Sequence, residues 1–260
     1  MFKELTDPNK RYDFLLVFDV KDGNPNGDPD AGNLPRVDVE TMQGLVTDVA
    51  LKRKVSNYVQ LTRGDEEGYD IYVKQRGILS REQKKAYDAL ELEDEKEQSA
   101  NVVKDAREWM CQHYYDTRMF GAVMSTKKYN AGQVRGPLQL TFARSVDPSA
   151  PDDMTVTRVA LTNVDDAQKG ADEDEVEARH GQMGRKAYLP YGLYVAHGYY
   201  TPAFAKQTGV TEQDLEVFWE ALVNMWDLDR SASRGQMATR GLYVFAHNSE
   251  FGNAPSHKLF

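Results

Sequence analysis

The sequence has 260 residues, of which 40% are hydrophobic, and a formal net charge of −9. This apolar content is enough to bury one large core and too high for a disordered chain. No apolar run reaches the roughly 18 residues of a membrane span, and the start lacks the apolar stretch of a signal peptide. The single cysteine, Cys111, excludes an internal disulfide, so we expect a cytoplasmic protein with no membrane partner.

The first predicted element is a strand at "YDFLLVFDV". Its apolar residues occupy both alternating faces, with Phe14, Leu16, Phe18 and Val20 on one face and Leu15 and Val17 on the other. A strand that is apolar on both faces is typical of the centre of a sheet. The pattern therefore predicts a central strand that is covered on both sides.

A loop rich in Gly, Pro and Asn follows, with the sequence "DGNPNGDPDAGN" at residues 22–33. Its first half fits the start of an EF-hand calcium loop, but a strand precedes it and position twelve is Asn33 instead of a carboxylate. Three carboxylates could serve a metal-dependent nuclease if they converge: Asp28, Asp30 and Asp38. The simplest interpretation is a shaped surface. Three glycines would then supply positive φ angles: Gly23, Gly27 and Gly32.

The next predicted element is a helix over residues 47–60 that is capped by Thr47. Its buried stripe consists of Leu51, Val55, Tyr58 and Val59. This periodicity places Lys52 and Arg53 on the polar side and Lys54 at its border, so three adjacent cations face largely outward. A solvated basic face and a phosphate-binding face both fit the pattern.

The later elements complete a recognisable order. A helix over residues 101–117 is expected to pack outside the main core, and carries on one face Val102, Ala106, Trp109, Met110 and His113. Strands are predicted at "PLQLTFARSV", "LPYGLYVAHGYY" and "LYVFAH", and the helix at "TEQDLEVFWEALVNMWDLD" begins with a capping box from Thr211 to Asp214. The order β-α-β-β-α-β predicts an α+β fold with a ferredoxin-like or RRM-like sheet.

Two charge-dense segments interrupt this order, at about residues 61–100 and about residues 162–187. They are poor in apolar periodicity, which is typical of solvated projections. Residues 65–97 and 147–177 together hold 21 acidic and 8 basic residues, so the rest of the chain has a net charge of +4. The acidic total is therefore compatible with a basic surface elsewhere.

Seven segments, in this order, resemble the backbone subunit of type I-C CRISPR Cascade, the Csd-type member of the RAMP-related crRNA-binding family. They are "FLLVFDVKDGNPNGDPDAGNLPRVD", "GLVTDVALKRKV", "FGAVMS", "GQVRGPLQLTFARS", "LPYGLYVAHG", "DRSASRG" and "GNAPSHKLF". The resemblance implies a single RRM-like domain over residues 1–260. In that domain a palm carries a large inserted finger region at about residues 61–100 and a projecting thumb at about residues 162–187.

The resemblance also implies partners and contacts. Several copies would stack head to tail along a crRNA, beside other Cascade subunits. They would hold its phosphates and leave most of its bases free to pair with target DNA. The implied RNA contacts are Asn24, Asn26, Arg36, Lys52, Arg53, Lys54, Gln133, Arg135, Met183, Arg185, Lys186, Arg230 and Arg234. The stretch from Asp165 to Glu177 is acidic and suits a projection that faces water or a neighbouring protein, so within the thumb only "GQMGRK" has the charge to touch RNA.

Two other functions remain open at the level of the sequence. A metal-dependent ribonuclease would parallel the related type III backbone subunits, which cut target RNA with an aspartate. An adaptor without RNA would suit the acidic total. No cofactor or metal is expected, because the sequence has no HxH, HExxH or Cys/His cluster and its five histidines are scattered.

Overall fold

The computed structural model describes residues 2–94, 98–158 and 182–260. In these residues the strands are β1 (Tyr12–Gly23), β2 (Gly27–Asp28), β3 (Leu34–Pro35), β4 (Gln43–Val46), β5 (Gly121–Met124), β6 (Gly132–Arg135), β7 (Leu138–Leu140), β8 (Ala143–Pro148), β9 (Asp152–Arg158), β10 (Gln182–Tyr200) and β11 (Gln236–Ala246). The α-helices are α1 (Asp48–Arg63), α2 (Leu79–Ala89), α3 (Ala100–His113), α4 (Tyr115–Phe120), α5 (Pro202–Thr208) and α6 (Glu212–Leu228). None of these helices is long and apolar enough to cross a membrane.

A large antiparallel sheet organises this mixed α/β fold. Its strand order is β11-β1-β10-β8-β4, and β7 and β9 pair with further parts of β10. In the centre, Leu16 of β1 lies opposite Ala196 of β10 and Leu242 of β11. Because β1 and β8 are each antiparallel to β10, they run in the same direction with β10 between them.

One face of β1 forms the main core, as predicted. Four of its side chains have no solvent exposure: Phe14, Leu16, Phe18 and Val20. Helices α1 and α6 pack together over this face, and the ring of Trp219 meets Phe14 edge-on at a centroid distance of 5.1 Å. Trp226 stacks on Phe18 at 4.8 Å. Aromatic burial of this kind contributes much of the stabilisation of a core.

The other face of β1 is not covered as predicted. Leu15 and Val17 are only half-buried, because α1 and α6 lie on the same side of the sheet. This face also carries two carboxylates that are buried by their partners: Asp19 is paired with Arg240 at 2.8 Å, and Asp13 with Arg11 at 2.9 Å. The apolar alternation of β1 therefore marks a central strand but not a second covering layer.

The caps of the two main helices are confirmed. The hydroxyl of Thr47 accepts a hydrogen bond from the backbone N–H of Ala50 at 3.3 Å. At α6, Thr211 and Asp214 form both hydrogen bonds of the capping box, at 3.2 and 2.8 Å. Such local side-chain patterns fix a helix start independently of the tertiary fold.

Strand boundaries differ from the prediction where pairing is not local. The segment "PLQLTFARSV" forms two strands, β7 and β8, and "LPYGLYVAHGYY" is the second half of the longer β10. The first half of β10 pairs with β9, from Tyr188 opposite Asp152 to Gln182 opposite Arg158. This ribbon was missed because the alternation in β9 extends over only two apolar residues, Met154 and Val156, and both stay exposed.

The segment at residues 61–100 contains regular structure, which contradicts the expectation of a largely solvated projection. It includes α2 and contributes three of the residues of a second core cluster: Tyr72, Ala86 and Tyr87. The helix predicted over residues 101–117 also belongs to this cluster, through Ala106 and Met110, so it does pack outside the main core. It is two helices, because Tyr114 is extended at φ −114° and ψ 113° and bridges to Asp70.

Candidate nucleic-acid interface

Lys52 and Arg53 lie on the outer side of α1, where their spacing predicts them. The ammonium of Lys52 donates to Asp48 Oδ2 at 3.1 Å and to Gln139 Oε1 at 2.9 Å. Arg53 donates to the backbone carbonyl of Val73. Both side chains therefore have a defined position on the surface. They line a cavity of about 240 Å³, with Val49, Ser56, Asp116 and Phe120 among its other lining residues.

A close crossing of two chain segments builds the wall of this cavity. Gly121 has a φ of 83°, and a Cβ atom added there would lie 2.4 Å from the carbonyl oxygen of Val134. At Gly136 an added Cβ would lie 2.1 Å from the carbonyl carbon of Phe120, so both positions require glycine. Gln139 follows this crossing and donates to the carbonyl oxygens of Phe120 and Gly136 at 3.3 and 3.2 Å. The crossing thus positions the side-chain amide of Gln139, whose oxygen accepts from Lys52. The sequence did not predict this contact.

Gln133 and Arg135 lie on β6 and are both exposed. Since β5 and β6 form an antiparallel hairpin, Arg135 is opposite Gly121, which lines the cavity next to Lys52. The guanidinium of Arg135 lies 4.2 Å from the centroid of the Phe204 ring. Gln133 and Arg135 line a different cavity of about 390 Å³, between β6, α3 and α5.

The two asparagines of the glycine-rich loop hold the backbone of the loop in place through hydrogen bonds. Asn24 is buried, its amide donates to the carbonyl oxygen of Asn33 at 2.7 Å, and its backbone N–H donates to the carbonyl oxygen of Ser233 at 2.7 Å. Asn26 Oδ1 accepts from the N–H and the hydroxyl of Thr47, at 3.0 and 3.1 Å. Both side chains therefore shape the loop and attach it to the start of α1, and Asn24 is not on the surface.

The glycines of this loop have a different role from the one predicted. Its positive φ angles belong to three residues: Asp22, Gly32 and Asn33. Gly32 fits the prediction, but Gly23 and Gly27 are required for close approach. A Cβ atom on Gly23 would lie 2.0 Å from the carbonyl oxygen of Arg234, and one on Gly27 would lie 1.9 Å from Asn33 Oδ1. The loop is therefore packed tightly against the segment that precedes β11.

Lys54 does not face outward as predicted. It is 3% exposed, forms an ion pair with Asp229, and lies 5.3 Å from the ring centroid of Trp226. Burial and then the charge of Arg234 lower the pKa of Lys54, while Asp229 opposes this shift. Arg234 also contacts Asp229 at 3.2 Å and donates to the backbone carbonyl of Asn24 at 3.2 Å. Lys54 and Arg234 thus join α1, the end of α6 and the glycine-rich loop.

The other cations expected to touch RNA are more exposed. Arg230 forms a surface pair with Asp227 at 2.5 Å. On the β9–β10 ribbon, Arg185 is 83% exposed and lies 3.2 Å from Asp153, and Lys186 is half-buried. Surface pairs of this kind contribute little to stability, so these side chains can exchange partners at small cost.

The expected thumb falls mostly on residues 159–181, which lie outside the described residues. Its last part, from Gln182, belongs to β10. There the backbone of Met183 lies opposite Thr157 in the ribbon. The ribbon begins beside the end of β1, since Gly23 is opposite Leu189.

Two of the three aspartates considered for a nuclease, Asp28 and Asp38, are engaged by other partners. Asp28 accepts from the backbone N–H of Asp30 at 3.1 Å and lies 3.4 Å from Arg36. Asp38 accepts from Arg144 at 2.7 Å, and this hydrogen bond lowers the pKa of Asp38. Among residues 2–94, 98–158 and 182–260, no group of three or more His, Cys, Asp or Glu side chains is arranged to hold a metal ion.

Known proteins resemble the chain over nearly its whole length. The family model described as "CRISPR-associated protein Cas7" matches residues 10–260. CRISPR-associated protein Cas7 of Haloferax volcanii is 27% identical over an alignment of 243 residues, and the match covers 82% of this chain and 64% of that protein. The chain thus spans less than two thirds of the length of this curated relative.

Two solved structures share the fold. A chain of a CRISPR RNA-guided surveillance complex in a pre-nicking state has a TM-score of 0.56, and the match covers 90% of this chain and 77% of that one. A chain of a second CRISPR RNA-guided surveillance complex has a TM-score of 0.52, and the match covers 90% of this chain and 68% of that one. At 13% sequence identity in both cases, these similarities concern the fold alone.

Proposed function

This chain belongs to the Cas7 family, and from that premise we propose that it is a non-catalytic backbone subunit of a type I-C CRISPR effector complex. Several copies bind one crRNA by its phosphates and stack head to tail along it, beside other Cascade subunits. The guide bases remain free to pair with target DNA. The solved structures with the same fold come from CRISPR RNA-guided surveillance complexes, which supports this assignment. The proposed setting is the cytoplasm.

The strand order supports an RRM-like palm. Strands β1, β8, β10 and β11 alternate along the chain with α1 and α6 in the order β-α-β-β-α-β. In the sheet they follow the order β11-β1-β10-β8, so that β10 splits the parallel pair β1 and β8. We assign the finger to the insertion that contains α2, and the thumb to the β9–β10 ribbon with the residues between its strands.

The observation that carries the proposal is the position of Lys52 and Arg53 beside a cavity on the outer face of α1. Gln139 and Val73 hold these cations through neutral oxygens. Asp48 is the one carboxylate within ion-pairing distance of either of them in the described part of the chain. The carboxylate of Asp116 also lines the cavity, but it accepts hydrogen bonds from the N–H groups of Tyr72 and Val73. Phosphate oxygens can therefore approach both groups while the protein keeps their orientation, and contacts to phosphate are independent of sequence.

Lys54 is not part of the proposed interface, since Asp229 and the Trp226 ring enclose it. Asn24 and Asn26 shape the proposed interface without touching RNA, because their side chains are hydrogen-bonded to the loop and to the cap of α1. Of the contacts implied by the resemblance, those that we retain as direct have partly or fully exposed side chains. They are Arg36, Lys52, Arg53, Gln133, Arg135, Arg185, Lys186, Arg230 and Arg234. We also retain Met183, on the resemblance alone.

The test is to purify the protein without nuclease and to examine the nucleic acid that copurifies. The proposal predicts RNA, and partial ribonuclease digestion of the complex should give protected fragments with an even spacing, because identical copies cover equal lengths. Protein free of nucleic acid would favour the adaptor. RNA with a single protected length, whatever the ratio of protein to RNA, would contradict stacking.

A further inference from the structure

The cavity between α3, β6 and α5 contains a second concentration of cations. Its volume is about 390 Å³, which is within the range of roughly 300–1,000 Å³ for small-ligand sites. Its lining includes Arg107 and Cys111 of α3, Gln133 and Arg135 of β6, and Lys206 and Thr208 of α5. Three separate elements thus direct polar groups to one space.

The two arginines of this cavity are available to an anion. In the part of the chain that the structure describes, no carboxylate lies within ion-pairing distance of Arg107 or Arg135. The acidic residue of the lining, Glu108, is paired with Lys104 at 3.6 Å. Lys206 is paired with Glu250 at 2.9 Å. The cavity therefore has two uncompensated guanidinium groups.

The geometry favours a planar, bidentate contact. The Phe204 ring lies 4.2 Å from the Arg135 guanidinium and restrains its plane. Arg107 reaches the start of β6, since a Cβ atom added at Gly132 would lie 3.8 Å from its Nη1. Guanidinium groups held in this way match the oxygens of a phosphate, and an amide such as that of Gln133 can contact the adjoining sugar.

We propose that this cavity binds the phosphodiester of one nucleotide, with Arg107 and Arg135 on the phosphate oxygens. The inference rests on the proposed function and adds a second phosphate site. Gly121 of β5 lines the 240 Å³ cavity that contains Lys52, and Gln133 and Arg135 of β6 line the 390 Å³ cavity. The β5–β6 hairpin therefore separates the two sites. A bound strand would cross that hairpin and contact cations on both sides of it.

The test compares Arg107→Met, Arg135→Met and the control Lys84→Met, which removes an exposed charge from α2 outside the cavity. Binding of a fluorescent oligouridylate and of the matching oligodeoxythymidylate is measured by anisotropy over a range of salt concentrations. Each arginine variant should bind about tenfold more weakly, and its log K against log salt slope should flatten by about 0.7. Lys84→Met should bind as the wild type does.

Two further outcomes have a definite meaning. Arg107→Lys should keep the salt slope but lose affinity, because it retains the charge and lacks the bidentate fork. Equal losses for RNA and DNA would indicate phosphate alone, and a larger loss for RNA would indicate that the 2′-hydroxyl is also bound. The cavity is not a phosphate site if both arginine variants behave as Lys84→Met does. In that case, a loss of binding in variants of Lys52 and Arg53 would leave the proposed function intact.

Discussion

Arg118 donates two hydrogen bonds to the carboxylate of Asp214, from Nε at 2.9 Å and from Nη2 at 2.6 Å, and both side chains are buried. The same carboxylate accepts from the N–H of Thr211 and so closes the capping box of α6. Arg118 also donates to the carbonyl oxygens of Cys111 and Gly68, at 2.7 and 3.0 Å. This pair therefore attaches the inserted region to the helix that covers the sheet.

Replacing Arg118 by Ala should destabilise the fold by about 3–5 kcal/mol, because Asp214 would remain buried without its cation. The matched control is Arg230→Ala, which breaks the exposed pair with Asp227 and should cost at most about 1 kcal/mol. Urea unfolding, followed by circular dichroism, measures both free energies. Equal values for the two variants would show that the Arg118 pair does not join these parts of the fold.

The pKa of Asp38 should rise when Arg144 is replaced by Ala. The hydrogen bond from Arg144 is the largest cause of its lowered pKa, and the N–H groups of Glu40 and Thr41 add to it. Because the folded-state pKa is lowered, the stability that Asp38 contributes is present above the ordinary value of about 3.9 and is lost as the pH falls through the lowered one. Carboxyl-carbon NMR titration measures the change, with Lys104→Met as the control. An unchanged pKa would mean that the ion pair does not persist in solution.

No cleavage of guide or target RNA is expected when Mg²⁺ or Mn²⁺ is added. Asp28 and Asp38 are each engaged by an arginine, and the carboxylate of Asp28 also caps the turn that contains Asp30. Labelled RNA on denaturing gels provides the measurement. Divalent-dependent cutting that disappears in Asp28→Asn, Asp30→Asn or Asp38→Asn would establish the ribonuclease instead.

Replacing residues 165–181 by a short Gly/Ser linker should leave a folded protein that no longer stacks regularly on RNA. Residues 165–181 are mostly charged or small, with Val176 as their one large apolar residue, so their removal takes little apolar surface from a core, and a polar insertion of this kind suits an external contact. Circular dichroism reports the fold, and negative-stain microscopy with RNA reports the assembly. Regular filaments from the folded variant would contradict the thumb assignment.

Local signals in the sequence predict the framework of this fold. Thr47 and the Thr211–Asp214 box each act within one helical turn, and the alternation in β1 reflects the core that it enters. Features that depend on distant segments were not predictable in this way. In the β9–β10 ribbon, β9 alternates over only two apolar residues, Met154 and Val156, and its partner strand lies beyond residues 159–181 along the chain.

The candidate site shows the same division. Helical periodicity places Lys52 and Arg53 on the outer face, but the burial of Lys54 depends on Asp229, which lies 175 residues away along the chain. The role of Gln139 depends on the crossing of Gly121 and Gly136, where two backbones meet at a distance that a Cβ atom would prevent. Such contacts depend on tertiary packing, so they leave no periodic pattern in the sequence.

The central claim is that Lys52 and Arg53 hold RNA by its phosphates, and Lys54 offers a neighbouring, buried control. The most direct measurement is the salt dependence of RNA binding by the Lys52→Ala/Arg53→Ala double variant and by Lys54→Met, with two RNAs of unrelated sequence. The account predicts that the double variant binds both RNAs more weakly to the same degree. Its log K against log salt slope should be flatter by up to about 1.4, from about 0.7 for each lost contact, while Lys54→Met keeps the wild-type slope. An unchanged slope in the double variant, or a loss confined to one RNA, would contradict it.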